Sequence, residues 1–113
     1  MALSDFNKGD IHLVNFDPVK VGEIGKLRPA VILSDNQDIM LFSTIVVVPL
    51  SSVIIKDNSP YRYFINKRDK LRQDSDACIY EIRSLSKNRI KHKVASIATH
   101  ELDDIRRALC ELL

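Results

Sequence analysis

Two short apolar runs rich in β-branched residues limit the folds open to this chain. Residues 29–34 read PAVILS and residues 44–50 read TIVVVPL. Each run is too short for an independent helix, and unbroken apolar character is typical of a strand buried on both faces. Pro49 has no backbone N–H to donate, which places it at a strand end or edge. We therefore expect a β-sheet built around these two runs.

The rest of the chain supplies further strands and one helix. Additional strands are expected at residues 10–16, 61–65, 76–82 and 94–98. The last segment changes period, because an apolar stripe recurs at helical spacing, at Leu102, Ile105, Leu109 and Leu112. Thr99 is a suitable N-cap, and the acidic first turn favours the positive end of the helix dipole. The pattern predicts a mainly β fold, a strongly curved sheet or small barrel, closed by a C-terminal α-helix.

Length and composition indicate one folded domain over residues 1–113. The chain is 45% hydrophobic and 28% charged, ordinary values for a globular protein. No apolar run approaches the roughly 20 residues of a membrane span, and the N-terminus lacks the apolar core of a signal peptide. We expect a cytoplasmic protein with no membrane segment. Cys78 and Cys110 have no CxxC spacing, and both are expected to be buried as small hydrophobes.

The charges are unevenly distributed along the chain. Residues 62–93 hold ten Lys or Arg against four acids, a balance of +6 in a chain of net charge +2. Within that window, residues 83–93 carry five cations and no carboxylate. Such a block fits a polyanionic partner, although a solvated basic face accounts for it equally well.

The sequence offers little for metal or nucleotide-cofactor chemistry. His12, His92 and His100 are scattered, without the spacing of metal ligands. Three glycines in all are too few for a phosphate-binding glycine motif, and no serine lies in a G-x-S-x-G elbow. We expect no metal and no cofactor.

An arginine and a serine at predicted strand ends are better candidates for a site. Arg28 opens the second predicted strand, and Ser51-Ser52 closes the third. If these strands pair antiparallel, Arg28 and Ser51 meet at one rim of the sheet. A guanidinium fork and a hydroxyl together suit a phosphate, and Glu23 in the preceding loop can orient the arginine or take a proton. The alternative is a surface arginine beside a Ser-Ser turn.

Three segments, in order, resemble the MazF/PemK family of toxin endoribonucleases. KGDIHLVNFDPVKVGEIGKLRPAVILSDN (8–36) is similar to the family's first strand, D-P turn, Gly/Glu loop and RP strand. VVVPLSS (46–52) resembles the next strand, which ends in a threonine or serine pair. LRQDSDACIYEIRSLSKNRI (71–90) is similar to the Asp-Ser turn, strand and basic stretch that follow. With the acidic-start helix, the resemblance runs from about residue 8 to residue 113.

The resemblance implies an SH3-like barrel that forms a homodimer and cuts single-stranded RNA without a metal. The ribose 2′-hydroxyl attacks the adjacent phosphorus, which gives a 2′,3′-cyclic phosphate and a 5′-hydroxyl. Arg28 falls on the catalytic arginine, which neutralises the phosphorane and shuttles a proton, and Ser51 on the catalytic threonine. The substrate-binding residues implied are Glu23, Ser52, Glu81, Arg83, Phe16 and Lys20. The resemblance also implies an antitoxin partner with an acidic, flexible segment over the cationic groove.

The chain departs from the family pattern at three places. Residues 21–25 read VGEIG where the family loop is close to GSEQG, Ser51 replaces threonine, and Glu81 stands where glutamine is common. Two other functions fit the same fold: a gyrase poison similar to CcdB, or a catalytically silent SH3-like interaction module. The gyrase poisons use a C-terminal tryptophan, and this chain has no tryptophan.

Overall fold

The computed structural model describes residues 5–16 and 27–113. The seven strands are β1 Asp10–Asn15, β2 Leu27–Ile32, β3 Thr44–Ser51, β4 Arg62–Ile65, β5 Ser75–Cys78, β6 Arg83–Ser86 and β7 Ile90–Ser96. The two α-helices are α1 Asn36–Leu41 and α2 Thr99–Leu112. Among these described residues, neither α-helix has the length and apolar character of a membrane-spanning segment. That residues 1–113 form a single domain stays a prediction.

The strands form one antiparallel sheet centred on β3. The order is β4-β5-β3-β2-β1-β7, and β6 also pairs with β3. On one edge β3 meets β2, and on the other it meets β6 along its first half and β5 at its end. Among the described residues no ladder joins β4 to β7, so the sheet is curved without being closed by hydrogen bonds. The predicted mainly β fold with a C-terminal helix is confirmed.

The segment opposite β3 is interrupted by a short 3₁₀ turn at Ile79–Glu81. The register pairs Leu50 with Ala77 and Val47 with Arg83, so two residues of β3 face five residues of the other chain segment. The surplus residues bulge out of the ladder, as extra residues in one strand of an antiparallel pair do. The predicted continuous strand over 76–82 is therefore wrong: β5 ends at Cys78, and β6 begins at Arg83.

Two apolar clusters pack against opposite faces of the central strands. The first, toward α2, includes Ile11, Val31, Val48, Leu50, Leu71, Ile79, Val94 and Ile105. The second includes Val14, Phe16, Ala30, Ile32, Ile39, Ile45, Val47, Leu85 and Ile90. Because successive side chains of a strand point to opposite faces, Arg28 shares the face of Ala30 and Ile32, and Ser51 that of Val47.

Several boundaries differ from the sequence-based expectations. The helix α1 and the strand β6 were not expected, and the expected short strand at 94–98 is the longer β7. The N-cap of α2 is Ala98, with Thr99 as the first helical residue, and no side chain of the cap residue bonds the helix. Cys78 is buried as expected, whereas Cys110 is exposed on α2.

The N-terminus of α2 is capped by Glu101 rather than by a Ser or Thr. The Glu101 carboxylate accepts a bond from the Ala98 backbone N–H at 2.8 Å. It also accepts two bonds from the Arg68 guanidinium, at 2.5 and 2.8 Å. This bidentate pair ties the helix to the segment after β4, with Glu101 only 7% exposed.

We expect Glu101→Gln to destabilise the protein at neutral pH and to have less effect in acid. The Arg68 hydrogen bonds hold the pKa of Glu101 below its ordinary value of 4.5. A lowered folded-state pKa gives stability that is fully present above the unfolded value and is lost as pH falls through the folded value. Hydrogen bonds to charged groups are worth roughly 1.5–3 kcal/mol, which is the expected loss at pH 7.

Urea unfolding of wild type and Glu101→Gln between pH 7 and pH 3 measures this difference directly. The exposed Glu111, on the same helix, provides the control substitution Glu111→Gln. A difference between wild type and Glu101→Gln that stays constant down to pH 3 would contradict the assignment.

Candidate functional site

The start of β2 and the end of β3 bring Arg28 and Ser51 together. The register pairs Ala30 with Pro49, and continuing it by two residues places Arg28 across from Ser51. Directly opposed residues of an antiparallel pair have Cβ atoms roughly 4.5–5.5 Å apart. The expected antiparallel pairing of these strands is confirmed, and both side chains lie on the same face of the sheet.

The hydrogen bonds of the two residues leave their donors available. The Ser51 hydroxyl accepts from the Val53 backbone N–H at 3.1 Å, so its own proton remains to be donated. Within the described residues Arg28 donates one long hydrogen bond, from Nη2 to the Leu50 carbonyl at 3.4 Å. Toward this part of the chain, half-buried Arg28 thus keeps most of its N–H groups for a ligand.

Arg28 is joined on this face by a second arginine and an aromatic ring. The Cζ of Arg28 lies 5.5 Å from the centroid of Phe16, and the Cζ of Arg83 lies 5.2 Å from the same centroid. Both distances fall within the cation–π range of about 6 Å. Among the ion pairs of the described residues none involves Arg28 or Arg83. The two guanidiniums therefore form a cationic pair without a carboxylate partner in this part of the chain.

A cavity of about 770 Å³ opens at the same strand ends. Its apolar lining comes from Leu13, Leu27, Pro29, Leu50, Leu71 and Val94, and its polar lining from Arg28, Ser51, Ser52, Lys70, Arg72, Gln73, Ser75 and His92. Strand alternation puts Pro29 and Leu50 on the face opposite to the Arg28 and Ser51 side chains. The cavity therefore opens toward one face of the sheet, and the guanidiniums of Arg28 and Arg83 lie on the other. The two meet at the rim of the sheet.

Sequence reasoning did not single out Lys70, Arg72 or His92 as lining residues. The cationic window 62–93 contains all three, yet charge counting cannot say which of its members face the site. Ser52 was expected and lies exposed in the cavity. Within residues 5–16 and 27–113, no three His, Cys, Asp or Glu side chains cluster in a way that could hold a metal ion.

Glu81 lies in the 3₁₀ turn, not on a strand, and is half-buried near Cys78. Burial raises the pKa of the Cys78 thiol, and Glu81 adds to the rise while Arg62 and Arg28 oppose it. A buried thiol with a raised pKa stays protonated and is a poor nucleophile. Arg83 does lie on a strand, at the start of β6. Glu23 and Lys20 lie outside the described residues, as does most of the loop that holds them.

A buried carboxylate fixes the backbone that follows Ser51. Asp76 pairs with Ser51 in the β3–β5 ladder and is 3% exposed. Its Oδ2 accepts from the Ile55 backbone N–H at 2.8 Å and from Nη1 of Arg62 at 3.4 Å. The same Arg62 nitrogen donates to the Val53 carbonyl at 2.9 Å. Asp76 and Arg62 together hold residues 53–55 beside the serine.

Comparison with protein families gives one match over almost the whole chain. A family model described as the PemK-like, MazF-like toxin of type II toxin-antitoxin systems matches residues 7–113. The chain is also 30% identical over 103 residues to a protein of Staphylococcus saprophyticus named Endoribonuclease MazF. That alignment covers 90% of this chain and 86% of the relative.

Solved structures show the same fold at lower sequence identity. MazF from Deinococcus radiodurans superimposes with a TM-score of 0.75 at 22% identity, over 95% of this chain and 94% of that one. A MazE–MazF complex from the same organism gives 0.76 at 22% identity, with the same coverage. The Mycobacterium tuberculosis toxin MazF-mt6 gives 0.75 at 14% identity, over 90% of this chain and 93% of that one.

Proposed function

The chain belongs to the family of PemK-like, MazF-like toxins of type II toxin-antitoxin systems, and on that premise we propose that it cleaves single-stranded RNA at a phosphate held between Arg28 and Ser51. The observation that supports the proposal is the β2–β3 register, which pairs Ala30 with Pro49 and, continued by two residues, brings Arg28 opposite Ser51. A fork of charged donors beside one neutral donor matches the non-bridging oxygens of a phosphodiester.

The chemistry we propose is a transesterification that needs no metal. A bond forms from the ribose 2′ oxygen to phosphorus and the bond to the 5′ oxygen breaks. The 2′-hydroxyl loses its proton and the departing 5′ oxygen gains one, which gives a 2′,3′-cyclic phosphate and a 5′-hydroxyl. Negative charge grows on the phosphoryl oxygens on the way. Arg28 and Ser51 therefore bind the transition state more tightly than the bound substrate, which is what lowers the barrier.

The RNA strand on either side of that phosphate needs further cationic contacts. Arg83 is paired with Arg28 through Phe16, and Lys70 and Arg72 are exposed at the cavity next to Ser51. We assign these three cations to neighbouring phosphates, since backbone recognition of single strands depends on positive charge. Glu23 and Lys20 stay predicted contacts from the loop before β2, and Glu81 is expected at the edge of the site.

We propose two protein partners in addition to RNA. The first is a cognate antitoxin with an acidic, flexible segment, supported by the likeness to MazF as found in the MazE–MazF complex and by the cationic pair on this face. The second is another copy of the chain. Exposed apolar side chains support a homodimer, and those between residues 53 and 82 are Val53, Ile54, Ile55, Tyr61, Phe64, Tyr80 and Ile82. With cellular RNA as its substrate, the protein acts in the cytoplasm.

Brief expression in a bacterial host, followed by mapping of transcript 5′ ends, tests the function. We expect growth arrest together with new 5′ ends clustered at one short sequence, and the same expression of Arg28→Ala should give neither. Intact transcripts with gyrase trapped on DNA would instead support the gyrase-poison alternative. Intact transcripts and normal growth would support a silent interaction module.

Ser51→Ala is expected to lower kcat with little change in KM. A hydrogen bond to a charged group such as the phosphate is worth roughly 1.5–3 kcal/mol, which corresponds to a decrease of roughly 10- to 150-fold. Ser51→Thr keeps the hydroxyl and restricts its rotamer, so its activity should equal or exceed that of wild type. Single-turnover cleavage of a labelled oligoribonucleotide measures both variants. If Ser51→Ala cleaves as fast as wild type, the hydroxyl has no part in the reaction.

A further inference from the structure

The aromatic ring between the two site arginines is placed unusually for a residue that would contact a base. Phe16 follows β1 and is 7% exposed, packed in the cluster that contains Val14 and Val47. Stacking on a base requires an open ring face. Phe16 offers almost none, since it is nearly buried, and its neighbours among the described residues include core side chains and the guanidiniums of Arg28 and Arg83.

We propose that Phe16 is a positioning residue, which holds Arg28 and Arg83 together so that both act on the RNA backbone. The inference rests on the proposed RNA cleavage, because it concerns how that same site is organised. It assigns to the ring an electrostatic role toward the two cations, instead of the direct substrate contact that the family resemblance implies.

The physical problem that the ring solves is repulsion between like charges. Arg28 and Arg83 have no carboxylate partner within residues 5–16 and 27–113, and two such guanidiniums repel each other. The negative face of an aromatic ring attracts a cation within about 6 Å, and here one ring attracts both. A carboxylate between them would have the same effect, but it would compete with the phosphate. An uncharged ring pairs the cations and leaves their N–H donors free.

The contact of Phe16 with the two arginines also reduces the side-chain entropy that is lost when RNA binds. A free arginine side chain carries roughly 2 kcal/mol of rotamer entropy. A guanidinium that already rests on a buried ring loses less of this freedom when it meets the phosphorane. Donors that are fixed before the reaction stabilise the transition state without reorganisation. The effect of the ring should therefore appear in kcat more than in KM.

The test replaces Phe16 by mono-, di- and trifluorinated phenylalanines through site-specific incorporation. Fluorine weakens the negative ring face and changes the shape little, so a purely structural role would leave the rate unaffected. We expect kcat to fall stepwise with fluorine number, to roughly 5- to 30-fold below wild type for the trifluoro ring. The melting temperature should stay close to that of wild type. The same series at Phe42, exposed at the end of α1, is the control and should not change kcat.

A second measurement, by NMR spectroscopy, tests the contact of the Phe16 ring with the two arginines and does not depend on RNA cleavage. Ring currents should shift the Arg28 and Arg83 Nε–H proton resonances upfield in wild type, and Phe16→Leu should abolish that shift. Wild-type cleavage with a kcat that is flat across well-folded fluorinated variants would overturn the role of Phe16 alone. Absence of the ring-current shift would do the same. Failure of wild type to cleave any RNA would overturn the proposed function, and this inference with it.

Discussion

Replacing Arg28 by alanine is expected to lower kcat for RNA cleavage by roughly 10²–10³-fold or more, since removing one donor from a developing oxyanion typically costs about 2.7–4 kcal/mol. Arg28 is placed to meet the phosphate because β2 begins where β3 ends, and its guanidinium has no carboxylate partner among the described residues. The change removes the permanent positive charge from the proposed phosphate site. Its effect should exceed that of any other single substitution at the site.

Two further variants test whether the effect of Arg28→Ala is due to the loss of the guanidinium at this position. Arg28→Lys keeps the charge and loses the fork, so it should recover only part of the activity. Arg106→Ala removes an exposed cation of α2, remote from the site, and should cleave as wild type does. All three are compared by single-turnover kinetics on one oligoribonucleotide. Full activity of Arg28→Ala would exclude the proposed mechanism.

Asp76→Ala is expected to give the largest loss of stability. It leaves the Arg62 guanidinium, whose side chain is 11% exposed, without its carboxylate. Removing one partner of a buried ion pair typically costs about 3–5 kcal/mol, a large share of the roughly 5–15 kcal/mol that stabilises an ordinary domain. The Ile55 N–H loses its acceptor as well, and residues 53–55 lose their anchor beside Ser51.

Urea unfolding at pH 7 measures the free energy of unfolding for this variant. Asp76→Asn retains a carbonyl acceptor for Ile55 and loses only the charge, so it should fall between wild type and Asp76→Ala. Lys56→Ala, on the exposed part of the same connection, is the control and should change stability little. An Asp76→Ala protein as stable as wild type would show that the contacts of Asp76 contribute nothing to the fold.

The pairing of β2 with β3 was predictable because the sequence of each segment alone indicates a strand. Short, continuous β-branched runs favour a buried strand over a helix, and antiparallel neighbours place the start of one strand beside the end of the next. The position of Arg28 and Ser51 then follows from counting residues. The helix α2 was also predictable from its own sequence, because its apolar residues recur at helical spacing. The structure buries Ile105 of this stripe completely.

Features that depend on contacts distant in sequence were not predictable. The 3₁₀ turn at Ile79–Glu81 lies in a run with good strand propensity, and only the pairing of both flanks with β3 shows the surplus residues. Thr99 looked like the cap of α2, but Glu101 accepts the Ala98 N–H, and Arg68, 33 residues away in sequence, holds the Glu101 carboxylate in place. The contact of Phe16 with both Arg28 and Arg83 was not predictable either, because a sequence does not show which ring two arginines will approach.

The most direct measurement of the central claim is the identity of the ends that the purified protein leaves on RNA. A single-stranded oligoribonucleotide is incubated with wild type in excess EDTA, and the products are analysed by mass spectrometry. The account predicts undiminished cleavage that leaves a 2′,3′-cyclic phosphate and a 5′-hydroxyl. Cleavage that EDTA abolishes, or products with a 3′-hydroxyl and a 5′-phosphate, would contradict it.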